Sequence, residues 1–233
     1  MVKQLAKRAF HAAGYSVRDV GRGVAGVDLL HDARVLLNDA ENLVLFDIGA
    51  NVGQTTLAMC EAFQSPRIHA FEPSPKTAAT LRRAVGGRPG VVVEAIAFGD
   101  TVGTLPFHVT EVHSVNDSLL RPRWNAGGTV VDVPVTTVDA YCTSRGIERI
   151  DLLKIDTQGY DLRVLHGARQ LLRDRRVRLF ACEANFPDLY DDQAQLSDLL
   201  AFADAVGYRL VGFYELSYMN NELTYLDALF KAR

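Results

Sequence analysis

The fold of this chain follows from one stretch, residues 45–56, which reads LFDIGANVGQTT. Apolar residues run into Asp47, and a loop that contains Gly49 and Gly53 then opens a segment with a helical pattern. A glycine turn between a strand and a helix commonly holds a nucleotide, because backbone N–H groups at the helix start face the ligand and glycine lets the chain approach it closely. The stretch therefore predicts a nucleotide site and leaves open which nucleotide it takes.

Short apolar runs alternate with helical patterns on both sides of this turn. The runs predict strands at 43–48, 67–72, 91–96, 150–156 and 177–184, and the patterns between and after them predict helices at 53–63, 75–85, 159–173 and 193–206. Continuous apolar strands separated by helices are typical of a parallel sheet that is covered on both faces. With right-handed crossovers the result is a doubly wound α/β, Rossmann-like domain.

Two regions depart from this alternation. Residues 104–109 and 129–135 look like extra strands on either side of a polar loop. Near the end of the chain, the strand-like runs 208–214 and 224–230 are joined by a short connection that contains Asn220 and Asn221. Because asparagine tolerates the backbone of tight hairpin turns, the last two strands are predicted to pair antiparallel.

Composition narrows the class of protein. The chain has 233 residues and a formal net charge of -3, so it lacks the basic surface that nucleic-acid binding requires. Its three cysteines are widely spaced, which fits a reducing compartment and predicts a cytoplasmic protein. No apolar run approaches the length of a membrane span, and we expect no signal peptide.

The first 42 residues are expected to form an N-terminal helical cap on a catalytic domain at 43–233. Apolar residues between positions 2 and 10 have helical spacing, with basic residues available for the opposite face. A helix that packs across the domain is favoured, and peripheral contact with a membrane surface is the alternative.

Three kinds of nucleotide loop can be compared with the glycine turn. A phosphate-binding P-loop needs four residues between its glycines and then a lysine, whereas three residues separate Gly49 from Gly53 and Gln54 follows. The dinucleotide fingerprint needs a middle glycine where Asn51 stands, which weakens an NAD site without excluding it. The third kind, a G-x-x-x-G turn after an acid, suits a ligand without phosphates, such as S-adenosylmethionine.

The acids at the strand ends suit S-adenosylmethionine. Asp47 is predicted to reach its ammonium group directly or through water, and Gly49 to let the chain pass beneath the ligand. Glu72, followed by Pro73, ends the second strand, where its carboxylate can accept hydrogen bonds from both ribose hydroxyls. The same carboxylate could bind the ribose hydroxyls of NAD equally well. The remaining cofactor-binding candidates are Asn51 and Gly53 in the turn, Ala95 and Ile96 beside the adenine, and Asp156.

Four motifs together resemble the FkbM family of class I methyltransferases, which use S-adenosylmethionine. They read FDIGANVGQTT, FEPSP, EAIAFGD and DLLKIDTQGYDLRVLHGA, and the resemblance extends over about residues 26–230. It implies a seven-stranded fold with a terminal antiparallel hairpin. It also implies methylation of a hydroxyl on a natural product, which we expect to be a sugar of a glycoside or glycolipid. An NAD-dependent oxidoreductase and a non-catalytic S-adenosylmethionine-binding module stay open as alternatives.

One motif departs from the family. An EG-x-E pattern is replaced here by QGYD, so that Asp161 keeps the acid with a side chain one methylene shorter. If that acid caps the helix predicted near Gly159, the change is harmless. If it must reach a substrate or a metal, the shorter side chain argues against that role.

The catalytic candidates are Asp156, Glu183 and His113. Asp156 ends the strand expected beside the first one, at the topological switch point where ligands bind, and Lys154 lies two residues earlier on the same face. Glu183 ends the next strand, and Asn185 follows it. His113 lies in the polar loop and titrates near neutral pH when unperturbed. Each could accept the proton of an acceptor hydroxyl.

A metal and an aromatic acceptor pocket are two further possibilities. Asp156, Asp161 and Glu183 offer oxygen ligands for magnesium, but their spacing does not require a metal, and we expect none. An aromatic group either lines an acceptor pocket or packs around the terminal hairpin; its members are Phe186, Tyr190, Tyr214, Tyr218 and Tyr225.

Overall fold

The computed structural model of the chain describes Phe10 and residues 26–38, 40–110, 114–124 and 127–233. Of the helix expected between positions 2 and 10, only Phe10 lies within the described residues, and it is helical. The strands are β1 (Val44–Ile48), β2 (Arg67–Phe71), β3 (Val91–Glu94), β4 (Ala97–Phe98), β5 (Gly103–Val109), β6 (Thr129–Thr136), β7 (Ile150–Ile155), β8 (Val177–Asn185), β9 (Tyr208–Met219) and β10 (Glu222–Ala232). The helices are α1 (Leu29–Leu36), α2 (Gln54–Ala62), α3 (Pro75–Val85), α4 (Val138–Arg145), α5 (Asp161–Gly167), α6 (Arg169–Arg173) and α7 (Leu196–Ala205).

Seven strands form the main sheet, in the order β3-β2-β1-β7-β8-β10-β9. The first five are parallel to one another, and β10 runs antiparallel to both of its neighbours. The doubly wound domain with a terminal antiparallel hairpin is therefore confirmed. The predicted extra strands exist as β5 and β6, which join β4 in a separate three-stranded sheet of order β4-β6-β5.

The core lies on both faces of the main sheet, which explains why its central strands are apolar throughout. β1 is buried at every position. Phe46 and Ile48 pack with the face that α4 to α7 cover, and Leu45 packs with Met59 of α2 on the other face. Leu29 of α1 belongs to that second face, so the described part of the N-terminal segment shares the core of the sheet.

The terminal hairpin turns at Asn220 and Asn221, as predicted. Both residues have a left-handed backbone, with φ of 52° and 65°. A two-residue hairpin loop favours this conformation because its twist matches the twist of the paired strands, and asparagine tolerates it better than most residues.

Two helices differ from the prediction. The single helix expected at 159–173 is broken between α5 and α6, where Gly167 packs so tightly that a Cβ would lie 2.0 Å from the carbonyl oxygen of Gly99. Helix α4 was not predicted, although Thr137 caps it by accepting a hydrogen bond from the Ala140 N–H at 3.0 Å. A short apolar stretch inside a mostly polar segment carries little periodic signal, so the sequence pattern did not predict α4.

Candidate functional site

The glycine turn after β1 is fixed against the end of β7. Gly49 has φ of 86°, and a Cβ placed on it would lie 1.8 Å from the carbonyl oxygen of Asp156. The Asp156 N–H donates to the carbonyl of Ile48 at 2.9 Å. Only glycine fits this backbone and this contact. The two strand ends that meet at the topological switch point are therefore locked together, with Asp156 beside the turn.

A cavity of about 460 Å³ opens at the carboxyl ends of the strands. That volume lies within the range of small-molecule sites. It extends from Glu72, after β2, to Glu215 on β9. Seven of the predicted site residues line it: Gly49, Asn51, Glu72, Pro73, Ile96, Asp156 and Glu183.

Three other predicted residues, Asp47, Gly53 and Ala95, do not line the cavity, and their contact with the cofactor stays a prediction. Strand alternation turns the side chain of Asp47 away, so it is buried and accepts a hydrogen bond from the Thr56 hydroxyl at 2.5 Å. Burial raises the pKa of Asp47 to about 6. Gly53 starts α2 with φ of 103°, and a Cβ there would lie 2.9 Å from a Leu81 methyl. Asp47 and Gly53 therefore stabilise the glycine turn without lining the cavity.

Glu72 is anchored at the cavity edge by the backbone. One carboxylate oxygen accepts from the Ser74 N–H at 2.9 Å, and the other accepts from the Asn51 N–H at 3.1 Å. The residue is 6% exposed, and burial raises its pKa to about 7. Because each carboxylate oxygen can accept two hydrogen bonds, both oxygens keep capacity for ligand hydroxyls. This pair of acceptor oxygens fits the two hydroxyls of a ribose.

The loop before β6 closes over the glycine turn. Ser114, which begins a short 3-10 turn at Ser114–Asn116, donates its hydroxyl hydrogen to the Asn51 side-chain oxygen at 2.8 Å. Asn51 itself has a left-handed backbone with φ of 47°. Ser114 and Asn116 both line the cavity. His113, the third catalytic candidate, immediately precedes this turn and lies outside the described residues.

Asp156 lies beside a buried lysine. The Nζ atom of Lys154 is 3.5 Å from Asp156 and 3.2 Å from Asp227 on β10. Burial acts to lower the pKa of Lys154, but Asp227 and Asp156 outweigh it and raise that pKa well above its usual value. The Asp156 side chain is 34% exposed, facing the cavity. The Asp156 carboxylate is open to the cavity on one side and contacts Lys154 on the other, an arrangement that is suited to accepting a proton from a substrate.

Gln158 joins Asp156 to Glu183. Its amide nitrogen donates to Asp156 at 3.0 Å and to Glu183 at 3.1 Å, and Asn185 donates to the same Glu183 oxygen at 2.7 Å. Burial, followed by the charges of Asp156 and Asp161, raises the pKa of Glu183 well above its usual value. The structure thus brings two of the three catalytic candidates together. Sequence reasoning missed Gln158, although its place two residues after Asp156 was a usable signal.

Asp161 stabilises the loop and does not face the cavity. One of its oxygens accepts from the Thr157 N–H and hydroxyl at 3.2 and 2.9 Å, and the other accepts from the Glu183 N–H at 3.1 Å. Asp161 therefore does not cap α5, which has no side-chain cap bond, but ties the loop after β7 to β8. Within residues 26–38, 40–110, 114–124 and 127–233, no group of three His, Cys, Asp or Glu side chains is placed to hold a metal ion.

The aromatic residues divide between the two proposed roles. Tyr225 lines the cavity, and Tyr214 is buried within the hairpin itself. Tyr190 is buried against the loop before β6, where its hydroxyl donates to the Asn116 carbonyl at 3.0 Å. Phe186 and Tyr218 are exposed and do not line the cavity. Sequence reasoning also missed Glu215, which a local irregularity of β9 brings to the cavity.

Comparison with known proteins agrees with this geometry. The family profile described as "Methyltransferase FkbM domain" matches residues 47–210. The 2-O-methyltransferase NoeI of Sinorhizobium fredii is 25% identical over 184 residues, which cover 73% of this chain and 75% of NoeI. The 31-O-demethyl-FK506 methyltransferase FkbM of Streptomyces tacrolimicus is 27% identical, covering 77% of this chain and 78% of that protein.

A more distant relative and a solved structure extend the comparison. The hexuronic acid methyltransferase AglP of Haloferax volcanii is 24% identical, covering 69% of this chain and 68% of AglP. The crystal structure of methyltransferase FkbM from Methylobacillus flagellatus matches the fold with a TM-score of 0.50 and 16% identity, covering 82% of this chain and 44% of that one. In the part of the chain that the structure describes, no helix is long and apolar enough to cross a membrane.

The family match decides between the two cofactors that the acid after β2 would serve. It covers more than half of the chain, including the glycine turn, Glu72 and the whole Asp156–Gln158–Glu183 group. The cofactor is S-adenosylmethionine, and the NAD-dependent alternative is set aside. This chain belongs to the FkbM family of S-adenosylmethionine-dependent methyltransferases.

Proposed function

We propose that this methyltransferase transfers the methyl group of S-adenosylmethionine to a hydroxyl of a small or medium natural product, a sugar of a glycoside or glycolipid, giving a methyl ether. One observation carries the proposal: a single cavity joins the ribose-suited Glu72 to the polar group around Asp156. The names of NoeI and FkbM refer to O-methylation, and that of AglP to a hexuronic acid, which supports a hydroxyl-bearing acceptor.

On the donor side, the chain supplies a turn, an acid and an apolar wall. Glu72 accepts hydrogen bonds from the ribose, and Gly49 and Asn51 let the backbone pass beneath the ligand. Ile96 and Pro73 bound the adenine. Asp47 acts indirectly, since its bond to Thr56 holds the turn in place.

On the acceptor side, Asp156 is the proposed proton acceptor. The bound donor supplies an electrophilic methyl group, so the protein's remaining task is to align the hydroxyl and remove its proton. A neutral alcohol is a poor nucleophile, and a base within hydrogen-bond reach accelerates its reaction. The Nζ atom of Lys154, 3.5 Å from the Asp156 carboxylate, holds that side chain in place from behind the cavity wall. Glu183 orients the hydroxyl, and His113 is kept as a second candidate base.

The remaining organisation follows from the same proposal. We assign residues 43–233 to the methyltransferase domain, and we assign to the first 42 residues the peripheral membrane contact that their sequence pattern allows. The reaction needs no metal and takes place in the cytoplasm. Three free cysteines, at positions 60, 142 and 182, are in keeping with a reducing compartment.

Two measurements on the purified chain test the proposal. S-adenosylhomocysteine should raise the melting temperature, as any ligand of the native state does, whereas NAD should not. A screen with methyl-labelled donor over glycosides, lipids and polyketides should then give a labelled product from a hydroxyl acceptor. Stabilisation by NAD alone would contradict the donor assignment. Binding of S-adenosylhomocysteine without turnover of any acceptor class would favour the non-catalytic binding module.

A further inference from the structure

In the described part of the chain, the acidic side chains that line the cavity are not matched by basic ones. Within the described residues they are Glu72, Asp117, Asp156, Glu183 and Glu215, and no lysine, arginine or histidine of those residues lines the cavity. A wall of one charge sign concentrates ligands of the opposite sign and disfavours those of the same sign. The charge of the acceptor is therefore a property that this cavity can select.

Two of these carboxyl groups already have hydrogen-bond partners within the protein. Asp117 accepts hydrogen bonds from the Thr110 N–H and hydroxyl at 2.7 and 3.0 Å, and Glu72 is held by two backbone donors. Lys154 is the nearest cation, but it is buried and bound to Asp227 and Asp156. It does not line the cavity and has no capacity left for an anionic ligand.

Glu215 is the acid that remains for the acceptor. It makes no ion pair within the described residues. β9 is the fourth strand from β1, about 19 Å away at the usual strand spacing of about 4.8 Å, so Glu215 faces the acceptor end of the cavity. It has φ of 49°, and the β9–β10 register shifts beside it, between Tyr225 and Asp227. An irregularity of this kind re-aims a side chain, here into the cavity.

An aromatic ring and an amide accompany Glu215. Tyr225 lines the same end of the cavity and is 39% exposed. It is paired with Asn185 in the β8–β10 ladder, and Asn185 lines the cavity as well. A ring face attracts cations, and a carboxylate next to it supplies the counter-charge. Together these groups match an ammonium-bearing sugar better than a neutral or an acidic one.

We infer that the acceptor carries a protonated amine near the methylated hydroxyl, as in an amino sugar, and that sugars with a carboxylate at the same place are rejected. The inference rests on the proposed function, because it assigns the substrate class of the same cavity. It sets this chain apart from AglP, whose name refers to a hexuronic acid. Among the described residues, an anionic sugar would face the Glu215 carboxylate, and no cation of those residues lines the cavity to receive it.

Three probes that differ only in the group at C6 test the inference: the p-nitrophenyl glycosides of 6-amino-6-deoxyglucose, glucose and glucuronic acid. Binding to the full chain loaded with S-adenosylhomocysteine is followed by ligand-observed NMR, and methyl transfer is followed with labelled donor and product analysis. We expect the 6-amino-6-deoxyglucose glycoside to bind at least about tenfold more tightly than the glucuronide at neutral pH. Because Glu215 is partly exposed, added salt should reduce this preference.

Two isosteric variants locate the effect. Glu215→Gln should reduce the amine-over-carboxylate preference threefold or more while leaving S-adenosylhomocysteine affinity unchanged. Glu222→Gln, an exposed acid on the same hairpin that does not line the cavity, should leave the preference as it is. Equal or tighter binding of the glucuronide, no binding of any probe, or an unchanged preference in Glu215→Gln would overturn the inference. Amine-selective binding with no methyl ether formed would instead contradict the proposed function alone.

Discussion

Gly49 and Asp156 are in contact across the two central strands of the sheet, where a single added methyl group at Gly49 would begin 1.8 Å from the Asp156 carbonyl oxygen. This contact places the proposed base beside the donor turn. The distance between the two halves of the site therefore depends on backbone packing and not on a flexible side chain.

Gly49→Ala should lose more stability than its backbone conformation alone requires. A left-handed backbone costs a non-glycine residue about 1 kcal/mol or more, and the clash with β7 adds to that. Gly146→Ala is the matched control, because Gly146 has φ of 63° and nothing lies within 4 Å of its would-be Cβ. The free energy of unfolding in denaturant measures both variants. Equal losses in the two would show that the contact with Asp156 is unimportant.

Replacement of Glu72 should weaken donor binding. Glu72→Ala removes the acceptor for the ribose and leaves the N–H groups of Asn51 and Ser74 without their partner. We expect a loss of ~2 kcal/mol in S-adenosylhomocysteine affinity, the order of a charged hydrogen bond lost in a buried place. Titration calorimetry provides the measurement, with Glu94→Ala as control, because Glu94 is an acid that ends the next strand, β3, and does not line the cavity. A similar loss in both variants would argue against the ribose role.

The same acid should make the free protein less stable as the pH rises. Burial raises the pKa of Glu72 from 4.5 to about 7, so the folded state binds a proton more tightly than the unfolded state. Stability then falls between about pH 4.5 and pH 7, by an amount on the order of 3 kcal/mol for this shift. Asp47, whose pKa burial raises to about 6, acts in the same direction. Glu72→Gln should flatten the pH dependence of the melting temperature, and an unchanged slope would contradict this assignment.

Gln158 is expected to act as a positioning residue. Gln158→Ala removes the amide that holds Asp156 and Glu183 together, so kcat should fall about tenfold while donor affinity stays the same. The pH profile of the rate should shift as well, because the two carboxyl groups lose a common donor. Gln158→Glu should shift the profile further by adding a third acid. A lower rate with an unshifted profile would indicate only a structural role.

Chelation should leave methyl transfer intact. Asp161 has both oxygens occupied by neighbouring donors and does not line the cavity, so the three acids with potential for magnesium do not converge. Activity is measured before and after EDTA treatment. A metal would be required if EDTA abolished the activity and magnesium restored it, and if Asp156→Asn and Glu183→Gln were also inactive.

The sequence predicts the fold of this chain well because each central strand is a continuous apolar run. Residues 43–48, for example, read as a strand buried on both faces, and Asn220-Asn221 as a hairpin turn, since both signals are local. The site is predicted in part. Glu72 and Asp156 were found because acids at the ends of parallel strands converge on one edge of the sheet.

The misses have physical causes of longer range. Asp47 lies one residue before the end of β1, and strand alternation turns its side chain away from the cavity, toward its partner Thr56 on α2. Gln158 gains its role only when β7 and β8 bring two carboxyl groups within reach of one amide. Glu215 enters the cavity because of a register irregularity in β9, which a periodic pattern does not reveal.

The position of the transferred methyl group tests the central claim most directly. After a turnover with methyl-labelled S-adenosylmethionine and an accepted sugar, NMR of the product identifies the atom that carries the label. We predict a methyl ether on a sugar hydroxyl, formed at a rate at least about a hundredfold lower in Asp156→Asn, the scale of a lost general base. A label on nitrogen or carbon, or a rate that Asp156→Asn does not change, would contradict the account.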